Sequence, residues 1–541
     1  MTAYQGGPFL TARADGGSTR ILDPLGMDAT GAAMIRQHLF PGMTGGLQHI
    51  RYFSLMSWIV GSFHERRANS SWRVYARRVE HALRIGALHA EPALRGIIGR
   101  DSTPVLTGLA GGAQVSLDKK VPSAFGAQYY GASFEALGFA RRPRDEAPRF
   151  SALGTLMWEA AETEVEGQAT SVRKALELLR AAPSEMRVSQ LIEASAFLQL
   201  RQIRPGAPEH QPLTRAFVGR APIEPRSDGA RATRARSLAL LLDIINEETV
   251  AIESAASMLE VLWNGRVSRA SKDEFPAELA TWRCFGERQE QRAAIGAIWY
   301  IVRAWMSAEA PRGIAPSLLG ERAVSLLPLA SRRRASADLP CADMTWGQYE
   351  DIVAEAAGAT VQGRSSYRRG LRARVSVAGS GAPTAEERLR LALQLMAATT
   401  SAWRVEERGA DMATYALHAH GGAARMTLPW FASMMETKRG ESVATVVRWL
   451  IERCALDQVQ RVGYAKGPGI SKVVLVREDD EVRFARETPR DDPFMQDANR
   501  LQAALAMLEG IALIKRQQDR FVTTAAGRSV LAALTGPRTP R

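Results

Sequence analysis

Apolar residues return every three to four positions along most of this chain, which predicts helices that each bury one face. Ile50, Phe53, Met56, Val60 and Phe63 carry one such stripe, and Trp72, Tyr75, Val79 and Leu83 carry another. Asp28 can cap an earlier helix running to Leu39, and Phe40-Pro-Gly-Met-Thr then forces a turn. The same spacing predicts helices over 151–164, 171–182, 184–202, 237–263, 276–308, 346–357 and 442–456. Another spans 384–405, where Thr384 and Glu387 have the spacing of a capping box. Trp282, Phe285, Trp299, Tyr300 and Trp305 fall among Ile295, Ile298 and Val302 at helical spacing, so they read as core and not as platforms for nucleobases. Between 91 and 149 glycines and prolines break the pattern into loops with short helices. Alternation with a period of two appears late, over 459–465, 472–477 and 482–485, and again over 511–515 and 521–523 around a polar tip at Gln517, Gln518, Asp519 and Arg520. The fold class expected is mainly α and multidomain, with a small α+β module at the C-terminus.

Breaks in the pattern suggest the organisation. Residues 1–20 read as a flexible tail, 21–203 as an N-terminal helical domain and 237–360 as a central helical domain. Between them, 204–236 holds five prolines and the cluster Arg231, Arg234 and Arg236, and reads as a linker. A second basic linker is expected over 361–383, where five arginines and Tyr367 lie between 364 and 374. The remainder, 384–541, reads as a C-terminal α+β domain.

Within that last part, 497–534 runs helix, strand, strand, helix, the order of a winged-helix module, and its Thr524-Ala-Ala-Gly-Arg turn resembles the end of many bacterial winged-helix domains. Strands expected before the first of these helices depart from the simplest winged helix, which places two helices there. At the other end, Asp23-Pro-Leu-Gly-Met, Phe40-Pro-Gly-Met-Thr and Arg51-Tyr-Phe-Ser resemble the opening of an uncharacterised group of bacterial proteins often encoded beside restriction and phage-defence genes. That resemblance implies a cytoplasmic component of a multi-gene defence system, with a partner protein and no assigned catalytic residue.

Charge narrows the partner class. The chain has a formal net charge of +13 and a pI near 10.0, which favours an acidic partner such as a nucleic acid, an anionic membrane or an acidic protein; of the nucleic acids, DNA is expected before RNA. Eight of the 70 basic residues are Lys, an arginine excess that GC-rich coding can also produce. With 46% hydrophobic and 23% charged residues, disorder throughout is excluded. The longest apolar run, 53–63, is interrupted by serines and Gly61 and falls short of the ~20 residues that span a bilayer, so no membrane partner is expected.

Catalytic chemistry leaves little trace. Cys284, Cys341 and Cys454 lie far apart, as buried thiols in a reduced compartment would. Five of the eight histidines, His38, His49, His64, His81 and His89, crowd one region without zinc-site spacing, while His418 and His420 would share a face if extended. No phosphate-cradling loop ends in Lys-Ser or Lys-Thr, and no nucleophile elbow is present. Glu441, Asp457 and Lys472 could converge in a divergent nuclease, the competing enzyme reading. The expectation is therefore no catalytic residue, no metal and no cofactor. Phosphate contacts are expected from Arg500, Lys515, Arg516, Arg520 and Arg528, together with Arg364, Arg368 and Arg369. A protein-docking scaffold without nucleic-acid binding is the third reading.

Overall fold

The computed structural model describes residues 25, 27, 35–66, 71–120, 122–126, 129–141, 146–200, 203–219, 229–247, 251–309, 313–330, 336–377, 381–405, 426–465, 475–478, 480–484 and 499–535. The expected tail, the Asp28 cap, Lys472, His418 and His420 lie outside them. The chain is mainly helical. Its contacts form two compact units, neither continuous in sequence. A terminal unit takes 35–261, 267–278 and 498–541, and a central unit takes 1–34, 262–266 and 279–497. Of the segment expected as one C-terminal domain, the described residues 499–535 group with the N-terminal helices and those of 384–484 with the central unit.

In the terminal unit, α1 (Tyr52–Arg66) is buried at every position from Tyr52 to Ser62. A helix buried all round must satisfy its own polar groups. Ser54 and Ser57 do so by donating to the carbonyls of Arg51 and Phe53. α2 (Trp72–Ala90) and α3 (Ala152–Glu166) pack beside it, and α4 (Thr170–Arg180) and α5 (Val188–Leu198) complete the bundle. Trp58 is fully buried, edge-on to Phe197 and under the Arg180 guanidinium. Arg51 reaches Glu209 and the carbonyls of Phe197 and Gln199, so the Arg-Tyr-Phe-Ser motif anchors α1.

Within the expected linker 204–236 the described residues form two helices instead, α6 (His210–Val218) and the start of α7 (Gly229–Asn246), while 220–228 lie outside the described residues. Proline misleads there because Pro212 falls in the first turn of α6, where no intrahelical N–H is needed. Arg234, expected on a solvated link, is 2% exposed. Its guanidinium donates to the carbonyls of Ala216 and Phe217 at the end of α6 and of Pro41 in the Phe-Pro-Gly-Met-Thr turn.

The central unit forms around α8 (Pro276–Glu309, which enters this unit at Leu279), α9 (Pro316–Val324), α10 (Trp346–Ala357), α11 (Val361–Val375) and α12 (Ala385–Val405). Trp282, Phe285, Trp299 and Trp305 are buried, as core residues should be. Tyr300 is half-buried with Arg388 over its ring. The expected basic linker is corrected here too. α11 is a helix capped by Thr360, with Arg368, Leu371 and Val375 on its buried side. Residues 459–465, expected as a strand, belong to α14 (Asp457–Ala465), which continues α13 (Val443–Trp449) through a π-helical stretch over Leu450–Leu456. Val459 there extends the buried side of Leu456 and Ala455, so packing overrides its β preference. Among the described residues, β1 (Leu475–Glu478) and β2 (Glu481–Phe484) form the hairpin expected in this region.

Candidate nucleic-acid interface

The last segment begins with α15 (Asn499–Gly510), followed by β3 (Ile514–Gln517), β4 (Arg520–Thr523) and α16 (Ala525–Thr535). The strands pair Ile514 with Thr523, Lys515 with Val522, Arg516 with Phe521 and Gln517 with Arg520. Two residues close the hairpin, and both Gln518 and Asp519 have positive φ (49° and 63°), the geometry of a type I′ turn. Cross-strand partners share a face, and successive residues alternate. Lys515, Gln517, Arg520 and Val522 therefore project to one side, and Arg516 and Phe521 to the other.

The Thr-Ala-Ala-Gly-Arg turn has a physical reason at three positions. The Thr524 hydroxyl donates to Ala512 O and accepts from Gly527 N, capping α16. Gly527 lies so close to the residue before β3 that a Cβ would stand 2.0 Å from Leu513 O. Arg528 donates to Thr523 O, which holds its guanidinium beside the first turn of α16.

These elements enclose an open depression of about 490 Å³. The hairpin face lines it with Lys515, Gln517, Arg520 and Val522, and the start of α16 adds Thr524, Ala525 and Arg528. No carboxylate lines it. Lys515 and Arg528 are exposed and Arg520 is half-buried. The first turn of α16 adds the partial positive charge of a helix N-terminus. Such a surface attracts anions and offers them several donors.

The sequence named eight phosphate contacts, and the structure divides them. Lys515, Arg520 and Arg528 meet at the depression. Arg516 points away, lies over the Phe521 ring at 4.4 Å and donates to Glu253 O, so it braces the hairpin. Arg500, half-buried at the start of α15, is not part of the lining. Arg364, Arg368 and Arg369 belong to the central unit. Arg364 bonds to Ala359 O and Arg369 to Ser366 Oγ. Arg368 is corrected from a surface contact to a buried ion pair, 2.7 Å from Glu290 and 4% exposed. Gln517, Thr524 and Ala525 were not singled out from sequence, although strict alternation along β3 already sets Lys515 and Gln517 together and Arg516 opposite.

No family model, curated protein or solved structure matches the chain. The site must therefore be read from its own chemistry.

Other candidate centres disperse. His49 and His64 contact the carbonyls of Arg95 and Pro148, and His81 is fully buried. Glu441 pairs with Lys438, and Asp457 pairs with Arg453. Among the described residues no group of three or more His, Cys, Asp or Glu could hold a metal ion, and no helix is long and apolar enough to cross a membrane. The three cysteines are buried, and burial pushes the Cys341 and Cys454 thiols up, away from the reactive thiolate.

Proposed function

We propose that this chain is a nucleic-acid-binding or complex-forming component without a catalytic centre of its own, acting in the cytoplasm within a multi-gene bacterial anti-phage system. In this reading its last segment is a winged-helix-like module that contacts phosphates. The observation that carries the proposal is the meeting of Lys515, Arg520 and Arg528 on one carboxylate-free depression beside a helix N-terminus. The motifs near the N-terminus that resemble a group encoded beside defence genes supply the biological setting. The nuclease reading is weaker because Glu441 and Asp457 each already have a local cation. The test is a titration of the full chain at low salt against duplex DNA, single-stranded DNA and RNA. Binding that weakens steeply with salt is expected, because each neutralised phosphate releases counterion. Absence of binding to all three would leave protein docking as the better reading.

A further inference from the structure

The geometry points to a narrower ligand for this depression: the phosphodiester backbone of a nucleic-acid duplex, contacted by the β3–β4 hairpin and the start of α16 with no dependence on base sequence. This rests on the nucleic-acid reading above and adds which form of nucleic acid is taken and by which element.

To read bases, α15, the helix that precedes the hairpin, would have to enter a major groove. Leu501, Ala503, Ala504, Leu505, Met507 and Leu508 are all buried, and between Leu501 and Leu508 only Gln502 is exposed. The helix ends against the terminal unit, where Gly510 O accepts from Ile203 N and Ile511 O meets the His210 ring. A Cβ on Gly510 would stand 2.7 Å from Ile50. The narrow side left open runs through Gln502, Ala506 and Glu509, with one exposed side chain and a carboxylate, too little for this helix to read base edges in a groove.

Single strands suit this surface less well. Proteins that hold them gain much of their affinity by stacking bases on aromatic rings. The one aromatic residue of this segment, Phe521, is 5% exposed and covered by Arg516. What the depression offers is charge and hydrogen-bond donors. The denser phosphates of a duplex profit most from such a surface, with a salt dependence of roughly 0.9 per contact against about 0.7 for a single strand.

The experiment measures fluorescence anisotropy of the full chain with labelled probes between about 50 and 200 mM salt: two unrelated duplexes of about 20 base pairs and one single strand of that length. Both duplexes should bind alike and several-fold tighter than the single strand. The three contacts at Lys515, Arg520 and Arg528 should supply about a 40-fold loss of duplex affinity across that salt range. Lys515→Gln with Arg520→Gln and Arg528→Gln should remove that component equally for both sequences. Lys515→Gln alone, at an exposed position, should remove about a third of the slope, whereas Arg516→Gln should change it less than any of the three. A single strand bound as tightly as duplex, or a tenfold preference between the duplexes, overturns this inference and leaves nucleic-acid binding standing. An unchanged slope in the Lys515 and triple variants overturns the assigned site. No binding to any probe removes the broader reading as well.

Discussion

Replacing Arg234 by Met tests whether a buried guanidinium holds the terminal unit together. The side chain is 2% exposed, and the three acceptors found for it are carbonyls: Phe217 O at 3.2 Å, Pro41 O at 2.7 Å and Ala216 O at 2.9 Å. Burial, with Arg231 nearby, pushes the guanidinium down to about 10, so it remains charged at neutral pH. Two of the acceptors end α6, where the helix dipole is negative, and the third fixes the turn before α1. Methionine fills a similar volume but leaves three buried carbonyls without this donor, at about 1–3 kcal/mol each. Part of that is offset because a cation no longer has to be desolvated, a relief of several kcal/mol. The expected net loss is about 2–4 kcal/mol, or roughly 3–7 °C in the melting of a unit this large. Differential scanning calorimetry of the full chain reads it. Arg234→Lys keeps the charge but cannot aim at three carbonyls in a fork, so it should fall between the two. A Met variant melting within about 1 °C of the parent would refute the latch.

Three further outcomes are expected. Burial, with Arg84 and Lys119 nearby, pushes His81 down to about 4, so between pH 6.5 and 4 the unfolded chain binds more protons than the folded one and stability falls as pH drops. Denaturant titrations should show the advantage of the parent over His81→Met shrinking by ~3 kcal/mol from pH 7 to 4, and parallel curves would disprove the assignment. Asp519→Gly should raise the denaturation midpoint by an amount worth up to about 1 kcal/mol, since a side chain is strained at positive φ in this turn; a lower midpoint would contradict the turn geometry. Trp58→Asp should unfold the terminal unit by placing a charge in its core, and retention of the parent's calorimetric transition would require that side chain to face solvent.

Helices were legible in the sequence wherever their stripe was apolar. α1, α2, α10 and α12 follow from spacing alone, and the β3–β4 hairpin follows from alternation around a polar tip. What escaped was structure built on arginine. α11 has the composition of a linker because Arg368 breaks an otherwise visible stripe with Leu371 and Val375, yet its charge is met by Glu290 from far along the chain. Arg234 escaped for the same reason, since carbonyls that accept from it carry no sequence signature. At the candidate site the residue types were legible and their grouping was not. Charge alone groups Lys515, Arg516 and Arg520, whereas the pleat separates Arg516 from the other two.

These buried arginines bear on how the net charge of +13 should be understood. If many cations were neutralised inside the fold, a high pI would say little about a partner. Among the described residues, eight arginines are buried: Arg51, Arg84, Arg180, Arg234, Arg288, Arg292, Arg368 and Arg388. Against them stand seven buried carboxylates, those of Glu80, Glu209, Asp243, Glu278, Glu287, Glu290 and Glu350. Among these residues the buried charges are thus nearly balanced, and their burial removes about one charge from the excess. Cations at the described surface, as at Lys515 and Arg528, act over about a Debye length on whatever approaches. An arginine-rich composition that arose from coding bias would still leave the molecule with this field. The carboxylate-free depression at Lys515, Arg520 and Arg528 is where the field has a shaped surface to act through.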